Sequence, residues 1–257
     1  MKKLLSVMLA FLMITGCMSI TSFAGNDSAT VYVSVSNKGQ LATAQVKVTV
    51  TDIDGDNALT VNDALYAAHE ASYSGGAKEG YGYYVHKDYG LSISKLWGDT
   101  SGNFGYYINN SSCWSLSDPV KNGDYLNAFV YSDSKKYSDK YCFFNCYKLT
   151  ADAGSDVELT LSYAGYDANW APVTLPVADA EITVDGTKTG IRTDANGKAT
   201  IQINGAGEHI ISAVSSSEIL VPPVCTASIS GGIFSTIISA ITSFITAIIN
   251  FILSIFA

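Results

Sequence analysis

The densest group of hard oxygen donors in the chain lies in one short run, Asp52-Ile53-Asp54-Gly55-Asp56-Asn57-Ala58-Leu59-Thr60-Val61-Asn62-Asp63. Counted from Asp52, carboxylates fall at positions 1, 3, 5 and 12, a hydroxyl (Thr60) at 9 and an apolar residue (Leu59) at 8. A calcium ion takes six to eight oxygens, and this is the spacing of an EF-hand-type loop. The pattern predicts a structural Ca2+ site with Asp52, Asp54, Asp56, the Ala58 carbonyl, Thr60 and Asp63 as ligands. Leu59 would turn inward and Asp63 would stand at the start of a helix. Position 6 is Asn57 where glycine is usual, and asparagine tolerates the left-handed backbone needed there. Position 12 is the short Asp63 where a glutamate would close the shell more fully. The plainer alternative is an acidic turn that only caps the helix.

Aromatic residues give a second signal. Fifteen of the 16 tyrosines lie between Tyr66 and Tyr166, and exposed Tyr and Trp faces can stack on a sugar or grip a partner protein. Tyr83, Tyr84, Tyr106, Tyr107 and Trp114 are the candidate contact residues. Ordinary strand composition, with Trp97 in the core, is the alternative. Cysteine is the third. If Tyr141–Tyr147 is a strand, Cys142 and Cys146 are about 13 Å apart and cannot bridge each other. Cys113 with one of them, Cys142 in the first instance, is the expected disulfide. The histidines His69, His86 and His209 have no zinc-site spacing and are expected on the surface or in strands. No nucleophile elbow, HExxH helix or phosphate loop occurs, so no enzyme is expected.

The elements that must position these groups follow from periodicity. Val31, Val33 and Val35 share one strand face and Val46, Val48 and Val50 another, joined through Asn37-Lys38-Gly39. Asn62-Asp63 offers an N-cap for a helix from Ala64 to about Ala71, with Ala64, Leu65, Ala68 and Ala71 inward. Strands are predicted at 82–86, 91–96, 104–108 and 125–131. The expected class is α+β, one helix on a mixed sheet. Beyond Tyr147, short alternating runs with turns at Asp185-Gly186, Asn196-Gly197 and Gly205-Ala206-Gly207 predict an all-β sandwich.

Two family resemblances attach to these segments. LSISKLWGD, GNFGYYINN and DPVKNGDYLNAFVY resemble the transcobalamin-type C-terminal domain, a small β-grasp-like module, over about residues 28–132. The resemblance implies a β-grasp-like fold. It also implies an alternative role in capturing a corrinoid or similar small ligand, although transcobalamins do so together with a larger helical domain that is not found in this sequence. PVADAEITVDGTKTGIRTDANGKATIQINGAGEHIISA resembles bacterial Ig-like modules with a TDxNGxA turn, over about residues 150–228, and implies a spacer or adhesive stalk.

Composition bounds the rest. The 257 residues carry a formal charge of −8, are 47% hydrophobic and contain a single arginine, Arg192; an acidic surface with no arginine cluster excludes nucleic acid as a partner. Lys2 and Lys3 ahead of the apolar run from Leu4 to Ile14 read as a secretory signal ending at Ala24. Ile14-Thr15-Gly16-Cys17 also fits a lipobox, which would leave a lipid on Cys17. Residues 233–257 hold no charge, proline or glycine. As a helix they would extend about 37 Å. Ser235, Thr236, Ser239, Thr242, Ser243, Thr246, Asn250 and Ser254 would form one polar stripe. A membrane helix over 233–256 is expected, with self-association through the stripe as the alternative. The expected organisation is therefore a signal peptide at 1–24, a β-grasp-like domain at 28–146, an Ig-like sandwich at 147–228, and a linker with a hydrophobic helix at 229–257. The whole reads as an exported cell-surface protein whose partner is a surface protein or a glycan.

Overall fold

The alternating valines at the start of the chain decide where its first core forms. In the computed structural model, which describes residues 28–88, 90–169, 171–231 and 241–250, Val31, Val33, Val35 and Val50 are completely buried. They lie on β1 (Ala29–Asn37) and β2 (Gln40–Val50), an antiparallel hairpin. Its loop is Lys38-Gly39, both at positive φ (49° and 76°), between the paired Asn37 and Gln40. That is the two-residue primed turn whose twist matches the strands. The expected signal peptide, Cys17 and Tyr89 lie outside the described residues.

Helix α1 (Val61–Ser72) and the short α2 (Gly76–Gly80) follow. They are succeeded by the hairpin β3 (Gly82–His86) and β4 (Gly90–Lys95), then β5 (Phe104–Ile108), β6 (Ser111–Ser112) and β7 (Tyr125–Val130). The main sheet has the order β2-β1-β7-β5-β6, with β1 parallel to β7 and every other pair antiparallel. Leu65, Ala64 and Ala68 of α1 lie at zero exposure against the valine face, with Leu96, Leu116 and Leu126. Ala64, Leu65 and Ala68 face inward as the periodicity predicts, whereas Ala71 is exposed and the helix begins three residues earlier than expected, at Val61.

The sandwich contains β8 (Lys140–Phe144), β9 (Lys148–Asp152), β10 (Asp156–Tyr166), β11 (Pro172–Pro176), β12 (Glu181–Val184), β13 (Thr187–Arg192), β14 (Lys198–Gln202), β15 (Gly207–Val214), β16 (Leu220–Val221) and β17 (Cys225–Ser230). One sheet runs β11-β10-β8-β16, with β14 also on β10; the other runs β13-β12-β15-β17-β9. Their inner faces meet in a core of Leu159, Leu161, Ile182, Ile211, Cys225 and Ala227. The boundary differs from the expected 146. β8 pairs with β10 and β16 and contributes Cys142 and Phe144 to the sandwich core, so the first unit ends near Tyr131. Residues 132–139 connect the two, organised by Asp133 and Asp139, whose carboxylates accept from the amides of Lys135 and Lys136 and of Ser132.

The second face of the first sheet is covered as well. Tyr107 stacks on Tyr141 at 3.7 Å and Tyr125 on Tyr147 at 3.9 Å, both nearly coplanar. The Lys148 ammonium sits 3.6 Å from the Tyr32 ring centre. Phe129, Tyr141 and Val221 form a small third core there. Gln45 joins this surface from a β-bulge. The register shifts between Val33 and Val35, Gln45 takes φ 44°, and its N–H donates to Ser34 Oγ. Its side chain then reaches the sandwich, where Nε2 donates to the carbonyls of Tyr147 (2.9 Å) and Val224 (3.2 Å) while Oε1 accepts from Thr226 Oγ1.

Residues 241–250 are helical. Ile241, Phe244, Ile245, Ile248 and Ile249 are exposed on it, and Thr242, Ser243, Thr246 and Asn250 gather on one side, as the stripe predicts. Among the described residues no helix is long and apolar enough to cross a membrane; this one extends about 15 Å, against a hydrocarbon core of about 30 Å. The remainder of the expected span, 233–240 and 251–256, lies outside the described residues.

Replacing Gln45 by Ala removes the side-chain donor of the buried Val224 carbonyl and leaves the Tyr147 carbonyl with Thr226 N alone. The expected loss is about 1–3 kcal/mol of stability, read as a lower urea midpoint at unchanged slope.

Candidate functional site

The acidic loop leaves β2 and enters α1, and its shape is set by backbone-to-carboxylate hydrogen bonds. Asp52 accepts from the amides of Gly55 (2.7 Å) and Asn57 (2.9 Å), which holds its carboxyl below the usual range. Asn57 adopts φ 65° and Gly55 φ 77°, so the left-handed turn expected at Asn57 is present. Asp63 accepts from Ile53 N through Oδ1 and from Thr60 N and Thr60 Oγ1 through Oδ2. Leu59 packs against the first core.

Ligand oxygens of Asp52, Asp54 and Asp63 come within 4.8 Å of one another. Asp54 is pushed up by burial first and then by the charges of Asp56 and Asp63. Among the described residues no ion pair involves these four acids, so the repulsion is uncompensated by protein cations. The three clustered acids fit a hard divalent cation. The other expected ligands stand differently: Asp56 accepts from Ala58 N at 2.8 Å and is not in the cluster, and the Thr60 hydroxyl is directed at Asp63.

The helix N-cap is Thr60, where Asn62 or Asp63 was expected. Thr60 and Asp63 form a reciprocal capping box; the Thr-x-x-Asp spacing ahead of an apolar run carried that signal. Asn62 is instead a buried bridge. Its Nδ2 donates to Asp54 Oδ2 (3.0 Å) and its Oδ1 accepts from the Tyr81 hydroxyl (2.9 Å), tying the loop to the aromatic core. His69, expected on the surface or in a strand, is fully buried on α1 because it lies one turn beyond Leu65 on the inward face. Its Nδ1–H donates to Leu65 O and its Nε2 accepts from Trp97 N, between the rings of Tyr81 and Trp97. Burial pushes its pKa down.

The aromatic candidates divide. Trp114 is 93% exposed, and Tyr83, Tyr84 and Val85 of β3 are exposed too. Leu116 N donates to Leu91 O, and Leu91 is the register partner of Val85, so the segment following Trp114 runs along the hairpin rim, where alternation turns Tyr83 and Val85 to one face and Tyr84 to the other. Tyr106 and Tyr107 are not on it. Alternation along β5 turns Tyr106 to the first core and Tyr107 to the Tyr141 stack, where burial raises both to about 12. The cysteines also depart from expectation: Cys113 packs against the first core and Cys142 lies in the second, whereas Cys146 and Cys225 meet with sulfurs 3.6 Å apart.

No family model matches the chain, and no curated protein matches it. Among solved structures it is similar to the N-terminal four Ig domains of Dscam1 isoform 4.44 (TM-score 0.25, 10% identity, 79% of this chain and 46% of that one). It is similar also to the D0-D1 domain of intimin (TM-score 0.25, 11% identity, 77% and 94%). The chain spans less than half the length of the Dscam1 fragment.

Two outcomes follow from the loop and helix. Thr60→Ala removes one side of the capping box and is expected to cost about 1 kcal/mol, measured by urea unfolding. His69 has a folded pKa below its unfolded value of about 6.5. Its contribution is complete above pH 6.5 and is lost as pH falls from there toward the folded pKa, at up to about 1.4 kcal/mol per pH unit. Unfolding midpoints at pH 7 and pH 5 should differ less for His69→Gln than for the native chain.

Proposed function

We propose that this chain is an exported cell-surface binding protein. The first unit is read as a β-grasp-like module that engages a surface glycan or protein, and the second as an Ig-like spacer. The β1–β7 parallel pair with α1 packed on one face supports the first assignment, and the two facing sheets support the second. The observation that carries the binding role is the exposed hairpin rim, with Tyr83, Tyr84 and Val85 on β3 and Trp114 in the segment that follows. An indole at 93% exposure and three further exposed apolar side chains offer flat, weakly hydrated area of the kind that anchors interfaces.

Calcium fits this reading as a structural ion held by Asp52, Asp54 and Asp63. The bound ion would offset the mutual repulsion of the three carboxylates and fix the loop on the N-terminus of α1. Affinity is expected in the extracellular class, about 10⁻⁴–10⁻³ M.

Two measurements test the proposal. At about ten times the dissociation constant, calcium should stabilise the protein by about 1.4 kcal/mol, seen as a rise in Tm that chelator reverses. Asp54→Ala should abolish the rise and Asp56→Ala should largely keep it. An unchanged Tm in the native chain removes the ion from the proposal. Separately, the full chain is applied to a glycan array and a panel of purified surface proteins. Trp114→Ala and Tyr84→Ala should each weaken the strongest signal by about tenfold or more, and binding unaffected by both discards the rim.

A further inference from the structure

Cys146 and Cys225 are distant in sequence and adjacent in space. Cys146 lies in the three residues, 145–147, that carry the chain from β8 in one sheet to β9 in the other. Cys225 opens β17, which pairs with β9 in parallel from Thr226–Lys148 onward. Thr226 N donates to Tyr147 O at 3.0 Å, so the two cysteines stand on backbones already held at ladder spacing. Neighbouring strands are about 4.8 Å apart, inside the Cα separation of about 4.4–6.8 Å that a disulfide spans. The sulfurs are 3.6 Å apart, which a rotation of the side chains closes to bonding distance.

We infer that Cys146 and Cys225 are a specific thiol-oxidation site that forms a disulfide, stapling the β8–β9 crossover to the last strand of the sandwich.

The two thiols are unequal in a way that orders the reaction. The Cys225 thiol, facing Cys146, favours the Cys146 thiolate and lowers its pKa. Cys225 itself is raised, by giving its proton toward Cys146 and then by burial. Cys146 is half-buried while Cys225 has no exposure, so a small-molecule disulfide such as oxidised glutathione meets Cys146 first. The Cys146 thiolate attacks one glutathione sulfur, the oxidant's S–S bond breaks, and one glutathione leaves as thiolate, taking up the proton Cys146 released. Cys225 then attacks the Cys146 sulfur of the mixed disulfide. The second glutathione leaves and takes up the Cys225 proton. Two electrons and two protons pass from the protein thiols to the oxidant.

Among the described residues, Cys113 and Cys142 have no such sulfur neighbour. Burial pushes Cys113 up to about 12, and it pushes Cys142 up as well. The residues flanking the pair, Tyr147, Val224 and Thr226, are also the ones that receive the Gln45 side chain. The staple therefore sits directly behind the surface on which the first unit rests.

The test uses the full chain in mild detergent, reduced and then equilibrated with oxidised glutathione. Intact mass should fall by about 2 Da, for the two hydrogens lost, and a non-reducing peptide map should join the Cys146 and Cys225 peptides. Tm should rise by about 5–10 °C, a response reversed by dithiothreitol, because the bond closes a long loop in the unfolded chain. Cys146→Ser and Cys225→Ser should each lose the cross-link and the rise, and Cys142→Ser should keep both. The inference is overturned if the native chain retains alkylatable Cys146 and Cys225, if it stops at a glutathione adduct on Cys146, or if its cross-link involves Cys113 or Cys142. The peptide map on the native chain decides this even where a serine variant does not fold.

Discussion

The buried carboxamide of Gln45 is the contact on which the arrangement of the two units depends. A glutamine amide is costly to bury unless its donors and acceptor are met, and here three groups of the sandwich meet them. All three lie within the stretch where β9 and β17 begin to pair. The first sheet can present this amide outward only because β2 carries a bulge, with Gln45 in left-handed backbone and its own N–H held by Ser34. Stacked tyrosines further along the sheet, on β7 and β5, extend the contact. Their offset-free overlap at 3.7 and 3.9 Å requires the two units to hold one orientation, since a small rotation would separate the rings. The first sheet is therefore buried on both faces, by α1 on one side and by the sandwich on the other.

That double burial explains what was readable in the sequence and what was not. Val31, Val33 and Val35 announced the face under α1 through simple alternation. Ser34 and Ser36, polar residues in the same strand, would be taken for solvent positions, yet both are buried because the covering surface includes Val221 and Pro222, far later in the chain. The same blind spot applied to the tyrosines. A strand-rich segment full of Tyr does not say which rings meet water, and Tyr107 and Tyr125 are used between units while Tyr84 is not. The boundary expected at 146 also placed Lys140–Phe144 in the first unit, and only its pairing with β10 and β16 assigns it to the sandwich.

The acidic loop was legible because its geometry is local. The left-handed Asn57 and the inward Leu59 follow from neighbours in sequence. What escaped was competition for the same atoms. Asp63 is the reciprocal partner of the Thr60 cap, and the Thr60 hydroxyl is directed to it. Asn62, one of the residues first considered as the cap, has its side chain turned to Tyr81 and Asp54. The cysteine pairing escaped for the opposite reason, being wholly non-local: Cys146 and Cys225 are 79 residues apart, and only the parallel β9–β17 ladder brings them together.

That ladder has a mechanical consequence. The chain enters the sandwich from the first unit through β8, crosses at 145–147 to the N-terminal end of β9, and leaves β17 at its C-terminal end. Because the two strands run parallel, tension between the tail and the first unit acts along them in opposite senses. The rungs from Thr226–Lys148 to Ser230–Asp152 are then loaded together, in shear. An antiparallel terminal pair pulled from one end would unzip rung by rung under far smaller force. In this arrangement the β9–β17 rungs resist together and not one at a time.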